Sequence, residues 1–171
     1  MQCPFCDFEN EIKYRLFIET KNFYLIPALG NFIEGYLLIV SKKHYPSIGS
    51  LPSQFITELK RLENKAIKFL NDNYHNQIIE YEHGEYDTGK REAGSCLNHC
   101  HLALIATNKN ILENITEQIG KGKKIDSFKK TNKLYQHCIP YLLYKKDNQI
   151  LYWPKPKILS QYVRRLLTDK T

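Results

Sequence analysis

The residues best suited to chemistry lie in one short segment that begins at Gly94 and contains His99 and His101. Side chains alternate between the two faces of a strand, so histidines separated by one residue point the same way. The preceding Gly94 and Ser95 can form a turn whose N–H groups and hydroxyl hold phosphate oxygens. An imidazole can attack phosphorus once a hydrogen bond to its other nitrogen fixes its tautomer. The segment therefore indicates a phosphate site, with a metal site or an incidental histidine pair as the alternatives.

Two further residues of chemical interest, Cys3 and Cys6, have a spacing that suits a metal better than a structural disulfide. The chain has five cysteines in total, and this odd number argues against a disulfide framework. The N-terminus has no basic leader followed by an apolar stretch, and no apolar run approaches the roughly 20 residues of a membrane span. We therefore expect a cytoplasmic protein with no membrane partner.

The composition is that of an ordinary globular protein. Of the 171 residues, 42% are hydrophobic and 25% are charged, and the formal net charge is +7. A positive charge favours anionic partners such as nucleotides or nucleic acid. Most lysines occur in scattered pairs, however, and only the 121–133 stretch is dense enough to form a patch. Charge alone does not predict nucleic-acid binding.

The elements that must position these residues follow from periodicity and turn signals. The strongest helix prediction is 53–74, where apolar residues recur every three or four positions and charges fill the other face. Strands are predicted at 14–19, 22–27, 35–41, 78–82, 99–106, 139–145 and 149–153, and further helical segments at 109–119 and 158–168. Because strands and helices do not alternate strictly, an antiparallel α+β architecture is favoured over a parallel sheet.

Five separated motifs follow one another along the chain. They are Cys3-Pro4-Phe5-Cys6, the Gly35–His44 strand and turn, Glu82-His83-Gly84, Gly94-Ser95-Cys96 with His99-Cys100-His101, and Ser160-Gln161-Tyr162-Val163-Arg164-Arg165. No single motif is specific, but taken together and in this order they resemble the histidine-triad superfamily and its microbial, diadenosine polyphosphate hydrolase-like branch.

The resemblance implies one domain over residues 1–171, with an N-terminal C-x-x-C segment at 1–8 and a helical tail at 155–171. Its implied fold is a five-stranded antiparallel sheet with a long helix and shorter helices, usually paired into a homodimer. The implied activity is hydrolysis or transfer of a nucleotidyl group, with a nucleotide or dinucleoside polyphosphate as substrate.

The same resemblance assigns roles to individual residues. His101 matches the nucleophile that forms a covalent nucleotidyl intermediate, and His99 matches the residue that orients it. Gly94 and Ser95 match the phosphate-holding loop, and Ser95 would also meet developing charge. The wider set that we expect to bind substrate adds Asn98, His83 and Gln161.

A structural zinc ion is the cofactor implied by some bacterial relatives, with no organic cofactor. Its ligands here would be Cys3, Cys6, His44 and His99, a closed Cys₂His₂ set. The alternative is a pair of free thiols on a frayed terminus, with His44 in an ordinary turn.

Two departures from the family pattern affect function. The third histidine of the motif falls at Ala103, which cannot help to protonate a leaving group, a contribution worth roughly 10²–10⁴-fold. A weak enzyme or one with another donor, a nucleotide-binding module without turnover, and an introduced substitution are three open interpretations. The 22–35 segment also lacks a clear acidic residue for ribose hydroxyls, since Glu34 lies too close to the following strand. A DNA-adenylate-type activity on nucleic acid is a further alternative.

Overall fold

The computed structural model describes residues 3–30, 33–87, 89 and 91–168. Within these residues, eight antiparallel strands form one sheet in the order β1-β2-β3-β5-β4-β7-β8-β6. The strands are β1 Ile18–Glu19, β2 Phe23–Pro27, β3 Tyr36–Ser41, β4 Ile78–Gly84, β5 His101–Ala106, β6 Lys123–Ile125, β7 Tyr141–Lys146 and β8 Gln149–Pro154.

The antiparallel α+β class is confirmed, but the expectation of five strands is wrong. The β7–β8 hairpin pairs with β4 and extends the sheet, and the basic segment expected to be a loop adds β6 at its outer edge. A three-residue edge strand rich in lysine gives almost no periodic signal, which is why the sequence did not predict it.

In the part of the chain that the structure describes, four α-helices accompany the sheet: α1 Phe55–Asn73, α2 Ile111–Ile119, α3 Thr131–Gln136 and α4 Tyr162–Leu167. The long helix predicted at 53–74 is confirmed as α1, whose buried positions include Leu59, Leu62 and Ala66. No helix among the described residues is long and apolar enough to cross a membrane.

Three predicted elements are shorter in the structure. The strand expected at 14–19 is reduced to β1, because Lys13–Arg15 forms a 3-10 helix. The strand expected at 99–106 begins at His101. The helix expected at 158–168 is α4 alone, because Gln161 has a left-handed backbone (φ 59°). Residues 1 and 2 of the N-terminal segment and 169–171 of the tail lie outside the described residues.

The two faces of β5 belong to two different hydrophobic clusters. Leu102 and Leu104 face the cluster that contains the buried side of α1. Ala103 and Ile105 face the opposite cluster, formed with Phe5, α2 and α4. His101 lies two residues before Ala103 on the same strand, so its side chain points to the same face. That face is covered by the N-terminal segment and α4.

The α1 face also contains a buried carboxylate, Glu82 on β4. It accepts hydrogen bonds from the Ile48 N–H (2.6 Å) and the Tyr141 hydroxyl (2.7 Å). Burial raises its pKa to about 8. The Tyr141 ring leaves no room for a side chain at Gly84, since a Cβ there would lie 2.2 Å from the ring. The segment His83-Gly84 is thereby fixed relative to β7.

We predict that Glu82→Gln removes part of the pH dependence of stability. The folded pKa of about 8 lies above the unfolded value of 4.5, so the contribution of Glu82 is complete below pH 4.5 and is lost as the pH rises toward 8. One titrating proton contributes a slope of about 1.4 kcal/mol per pH unit. Urea denaturation of wild type and variant across this range measures the difference. An exposed control, Glu117→Gln, should follow the wild type; parallel profiles for wild type and Glu82→Gln contradict the prediction.

Candidate active site and metal centre

The four residues implied as zinc ligands meet at one point. The ligand atoms of Cys3, Cys6, His44 and His99 all lie within 4.8 Å of one another. Cys3 Sγ is 3.3 Å from His99 Nδ1, and Cys6 Sγ is 3.3 Å from His44 Nδ1 and 3.6 Å from His99 Nδ1. Tetrahedral zinc, with bonds of about 2.3 Å to sulfur and 2.0 Å to nitrogen, separates these atoms by about 3.6 Å. The cluster therefore has the donors and the spacing of a Cys₂His₂ site.

The orientation of His99 is fixed from its far side. Its Nε2 lies 2.7 Å from the Ser41 carbonyl oxygen and 3.1 Å from the Ser41 hydroxyl. Donation from Nε2–H to the carbonyl leaves a lone pair on Nδ1, which faces the thiols, as a metal ligand requires. Burial lowers the pKa of His99 to about 4, so the ring is neutral. Ser41, at the end of β3, is a residue that sequence reasoning missed.

The Cys6 thiol is protonated when no cation is bound. Burial and the neighbouring Cys3 raise the pKa of Cys6 to about 11, so this thiol stays protonated unless a cation compensates the thiolate. A bound metal supplies that compensation and releases the protons.

His101 opens β5 and pairs with Val40 on β3. Its Nδ1 lies 2.6 Å from the backbone carbonyl oxygen of His99. Because a carbonyl can only accept, Nδ1 carries the hydrogen, and Nε2 carries the lone pair of a neutral ring. No described residue hydrogen-bonds to Nε2. Burial lowers the pKa of His101, which keeps the ring unprotonated and nucleophilic.

Phe5 links the metal cluster to His101. This ring lies between the two cysteines in sequence and makes edge contacts with His99 (5.6 Å between centroids) and with His101 (5.4 Å). The sequence predicted that His99 and His101 project side by side from one strand, and this prediction is wrong. His99 precedes β5, its ring faces the thiols, and it contacts His101 through its carbonyl.

Ser95 and Asn98 are both buried and hold the 85–98 loop together. The Ser95 hydroxyl lies 3.0 Å from a Glu85 carboxylate oxygen and 3.1 Å from Asn98 Oδ1. Glu85 also accepts from the Ala93 N–H at 2.7 Å, and Asn98 Nδ2 donates to the Asp87 carbonyl at 2.7 Å. Contact of Ser95 with phosphate stays a prediction and requires its hydroxyl to turn away from Glu85. Sequence reasoning missed Glu85, because its partner Ser95 lies ten positions further along the chain and no periodicity or motif connects the two.

Gly94 is held against the segment that precedes α4. Its carbonyl accepts from the Gln161 N–H at 2.8 Å. Its φ is +73°, and a Cβ would lie 2.6 Å from the Leu159 carbonyl oxygen, so only glycine fits. Gln161 is exposed and reaches this loop through its backbone; a role for its side chain in substrate binding stays a prediction.

His83, also expected to bind substrate, lies on β4 and is only 6% exposed. Its Nε2 is buried and has no hydrogen-bond partner among the described residues. Its ring contacts that of Tyr81 at 5.4 Å. The structure places this histidine in the interior of the sheet, and its role in substrate binding stays a prediction.

Ala103 is fully buried on the same face as His101. Tyr81 pairs with it directly across the ladder, and the Tyr81 hydroxyl lies 2.7 Å from that of Tyr36. The position of the third family histidine is therefore buried, next to Tyr81 in the neighbouring strand.

The family comparison agrees with this geometry. A family model described as the C-terminal binding region of scavenger mRNA decapping enzyme matches residues 2–116. No curated protein sequence matches.

Similar solved structures belong to the same fold. They include a histidine-triad family protein from Bacillus anthracis (16% identity, 64% of this chain and 75% of the other, TM-score 0.53) and a hypothetical histidine triad nucleotide-binding protein from Sulfolobus tokodaii (18%, 80% and 88%, 0.51). A DUF4931 family protein from Bacillus cereus is also similar (14%, 89% and 90%, 0.54). At these identities the likeness establishes the fold.

We predict that the purified protein contains about one zinc per chain and that a Cys3→Ser/Cys6→Ser double variant contains less than about half of that. Removing two thiolates leaves too few ligands for a closed tetrahedral site. Elemental analysis gives the stoichiometry, and a chelator should lower the melting temperature of the wild type only. Cys138→Ser, at an exposed cysteine outside the cluster, is the matched control. Wild-type protein with no bound metal would refute the site.

Proposed function

Because the chain belongs to the scavenger mRNA decapping enzyme C-terminal family of the histidine-triad superfamily, we propose that it binds nucleotides and hydrolyses or transfers nucleotidyl groups through His101. The reacting bond is a nucleotidyl phosphoanhydride, ester or phosphoramidate. The proposal includes a covalent nucleotidyl-histidine.

The observation that carries the proposal is the hydrogen bond from His101 Nδ1 to the His99 carbonyl. It directs the lone pair of Nε2 away from the backbone and holds the ring in the tautomer that can attack phosphorus. In-line attack forms a P–N bond to Nε2 and breaks the bond to the leaving oxygen. A water or another acceptor then attacks the phosphorus, breaks the P–N bond and releases one proton.

Ala103 bears on the choice of substrate. It has no donor, so help in protonating a leaving group, typically worth about 10²–10⁴-fold, is not available from that position. A pyrophosphate arm leaves without protonation far more readily than an amine. A dinucleoside polyphosphate is therefore favoured over a phosphoramidate.

Zinc, when bound to Cys3, Cys6, His44 and His99, supplies a structural cross-link, because a closed four-ligand site has no open position for substrate. The chain's own residues do the rest. The cross-link fixes the N-terminal segment on the sheet, and Phe5 within that segment packs on His101. Ser41 holds the far side of the His99 ring.

We predict a covalent nucleotidyl adduct on His101 during reaction with diadenosine tetraphosphate. Acid-quenched reactions analysed by mass spectrometry should show an added adenylyl group on the peptide that contains His101. His101→Ala should lose the adduct and the turnover, whereas His137→Ala, an exposed histidine outside the site, should keep both.

A second candidate function is a nucleotide-binding module without turnover, and the specific observation that favours it is the buried Ala103. Calorimetric binding of the dinucleotide with neither adduct nor product would support the module and contradict the enzyme.

The homodimer implied by the resemblance also stays a proposal. β1 and β6 stand at the two ends of the strand order, so they are the free edges of the described sheet, whereas β4 is paired on both sides. β6 exposes Lys123 and Lys124, and like charges oppose self-pairing there. The β1 edge, beside the exposed rings of Tyr14 and Phe17, is the better surface.

We predict a solution mass of about twice the 20.2 kDa chain mass by light scattering, since family members usually pair. Tyr14→Glu should shift the protein toward monomer, because it places a charge on the apolar β1 surface. Leu159→Glu, at an exposed leucine elsewhere, should leave the mass unchanged. A wild-type mass of one chain rules out the dimer.

A further inference from the structure

His83 lies on β4 just beyond the end of its ladder with β5. The last paired residues are Tyr81 and Ala103, and continuing this antiparallel register by two residues brings His83 toward His101 on the same face. His101 also lowers the pKa of His83, in agreement with two rings that lie near one another. The imidazole of His83 therefore lies near the nucleophile that we propose, although 18 positions separate the two along the chain.

The Nε2 atom of His83 is buried without a hydrogen-bond partner among the described residues. A buried polar atom left unpaired costs about 1–3 kcal/mol, and such atoms are rare in folded proteins. The residue is 94% buried, at 6% exposure, so ordinary bulk water does not satisfy it. An unpaired nitrogen beside a nucleophile is the pattern expected of a group whose partner arrives with the substrate.

The protonation state suits hydrogen-bond donation. Burial, reinforced by nearby His101, lowers the pKa of His83 to about 3, so the ring is neutral at physiological pH. A neutral imidazole with its hydrogen on Nε2 donates one hydrogen bond to an oxygen without placing a charge in the interior. No proton needs to be transferred for this contact to stabilise negative charge on phosphate.

We propose that His83 supplies the third imidazole of this site, donating a hydrogen bond from Nε2 to a non-bridging oxygen of the phosphoryl group attacked by His101. This inference rests on the proposed function and adds to it a hydrogen-bond donor for the reacting phosphoryl group. The neighbouring strand provides the group, since position 103 on β5 is a buried alanine paired with Tyr81. His83 is then a catalytic residue that contacts the reacting phosphoryl group.

Two variants at this position separate hydrogen bonding from packing. His83→Phe keeps a ring and removes the donor, whereas His83→Gln places an amide N–H near the original Nε2. Loss of one such donor is worth about 10²–10³-fold in rate. We expect His83→Phe to slow adduct formation on His101 by about 10²-fold in single-turnover experiments with diadenosine tetraphosphate. His83→Gln should lie within about tenfold of wild type, and the exposed control His75→Phe should match wild type.

A phosphorothioate substrate gives a readout that a purely structural role would not change. Sulfur accepts hydrogen bonds poorly, so the wild type should discriminate between the two diastereomers that carry sulfur at the attacked phosphorus. His83→Phe should lose that discrimination. Equal rates and equal discrimination in wild type and His83→Phe overturn the inference.

A binding experiment distinguishes failure of this inference from failure of the proposed function. Histidine ¹⁵N spectra of the His101→Ala variant are recorded during titration with adenosine monophosphate. A shift of the His83 Nε2 resonance supports the contact. Shifts of other histidines without His83 overturn the contact and leave nucleotide binding intact, and no binding at all overturns both.

Discussion

His99 connects the Cys₂His₂ cluster to His101, because its ring belongs to the cluster and its backbone carbonyl accepts a hydrogen bond from His101. The ring reaches Cys3 and Cys6 through Nδ1 and is held by Ser41 through Nε2. The carbonyl accepts from His101 and fixes its tautomer. A shift of His99 would therefore change the Cys₂His₂ cluster and the orientation of the His101 ring together. Phe5 adds a second connection between them, since its ring packs on both imidazoles.

Around this residue, distant parts of the chain are brought to one face of β5. The N-terminal segment covers His101, β4 presents His83 beside it, and Gln161 holds Gly94 of the 85–98 loop through a backbone hydrogen bond. Burial keeps the imidazoles of His83, His99 and His101 neutral. Neutral rings suit a metal ligand, a nucleophile and an uncharged donor, whereas an imidazolium ion has no lone pair and can only donate hydrogen bonds as a cation.

Much of the fold was accessible from sequence where the signal is local. The apolar spacing of α1, the apolar β3 and β5 segments and the β7–β8 hairpin all follow from patterns within about 20 residues. The motifs also predicted the four residues of the Cys₂His₂ cluster, which the structure brings together, whereas the role that they assign to His101 stays a prediction. Glu85, Ser41 and Phe5 were missed, because each acts through a partner that is distant in sequence and nothing in its local pattern marks that partner. The extension of the sheet past β4 was missed for a similar reason, since strand neighbours are chosen by long-range packing.

The sequence by itself determined which side chains can do chemistry and which segments form the main strands and the long helix, since residue type and periodicity are local properties. It also located Ala103 as the departure from the family motif. Only the tertiary structure decided that His99 contacts His101 through its carbonyl, that Ala103 is buried beside Tyr81, and that the Nε2 atom of His83 is buried with no hydrogen-bond partner among the described residues. These depend on strand register and on how the chain closes over β5. Register is set by the simultaneous burial of both sheet faces, which no single segment encodes.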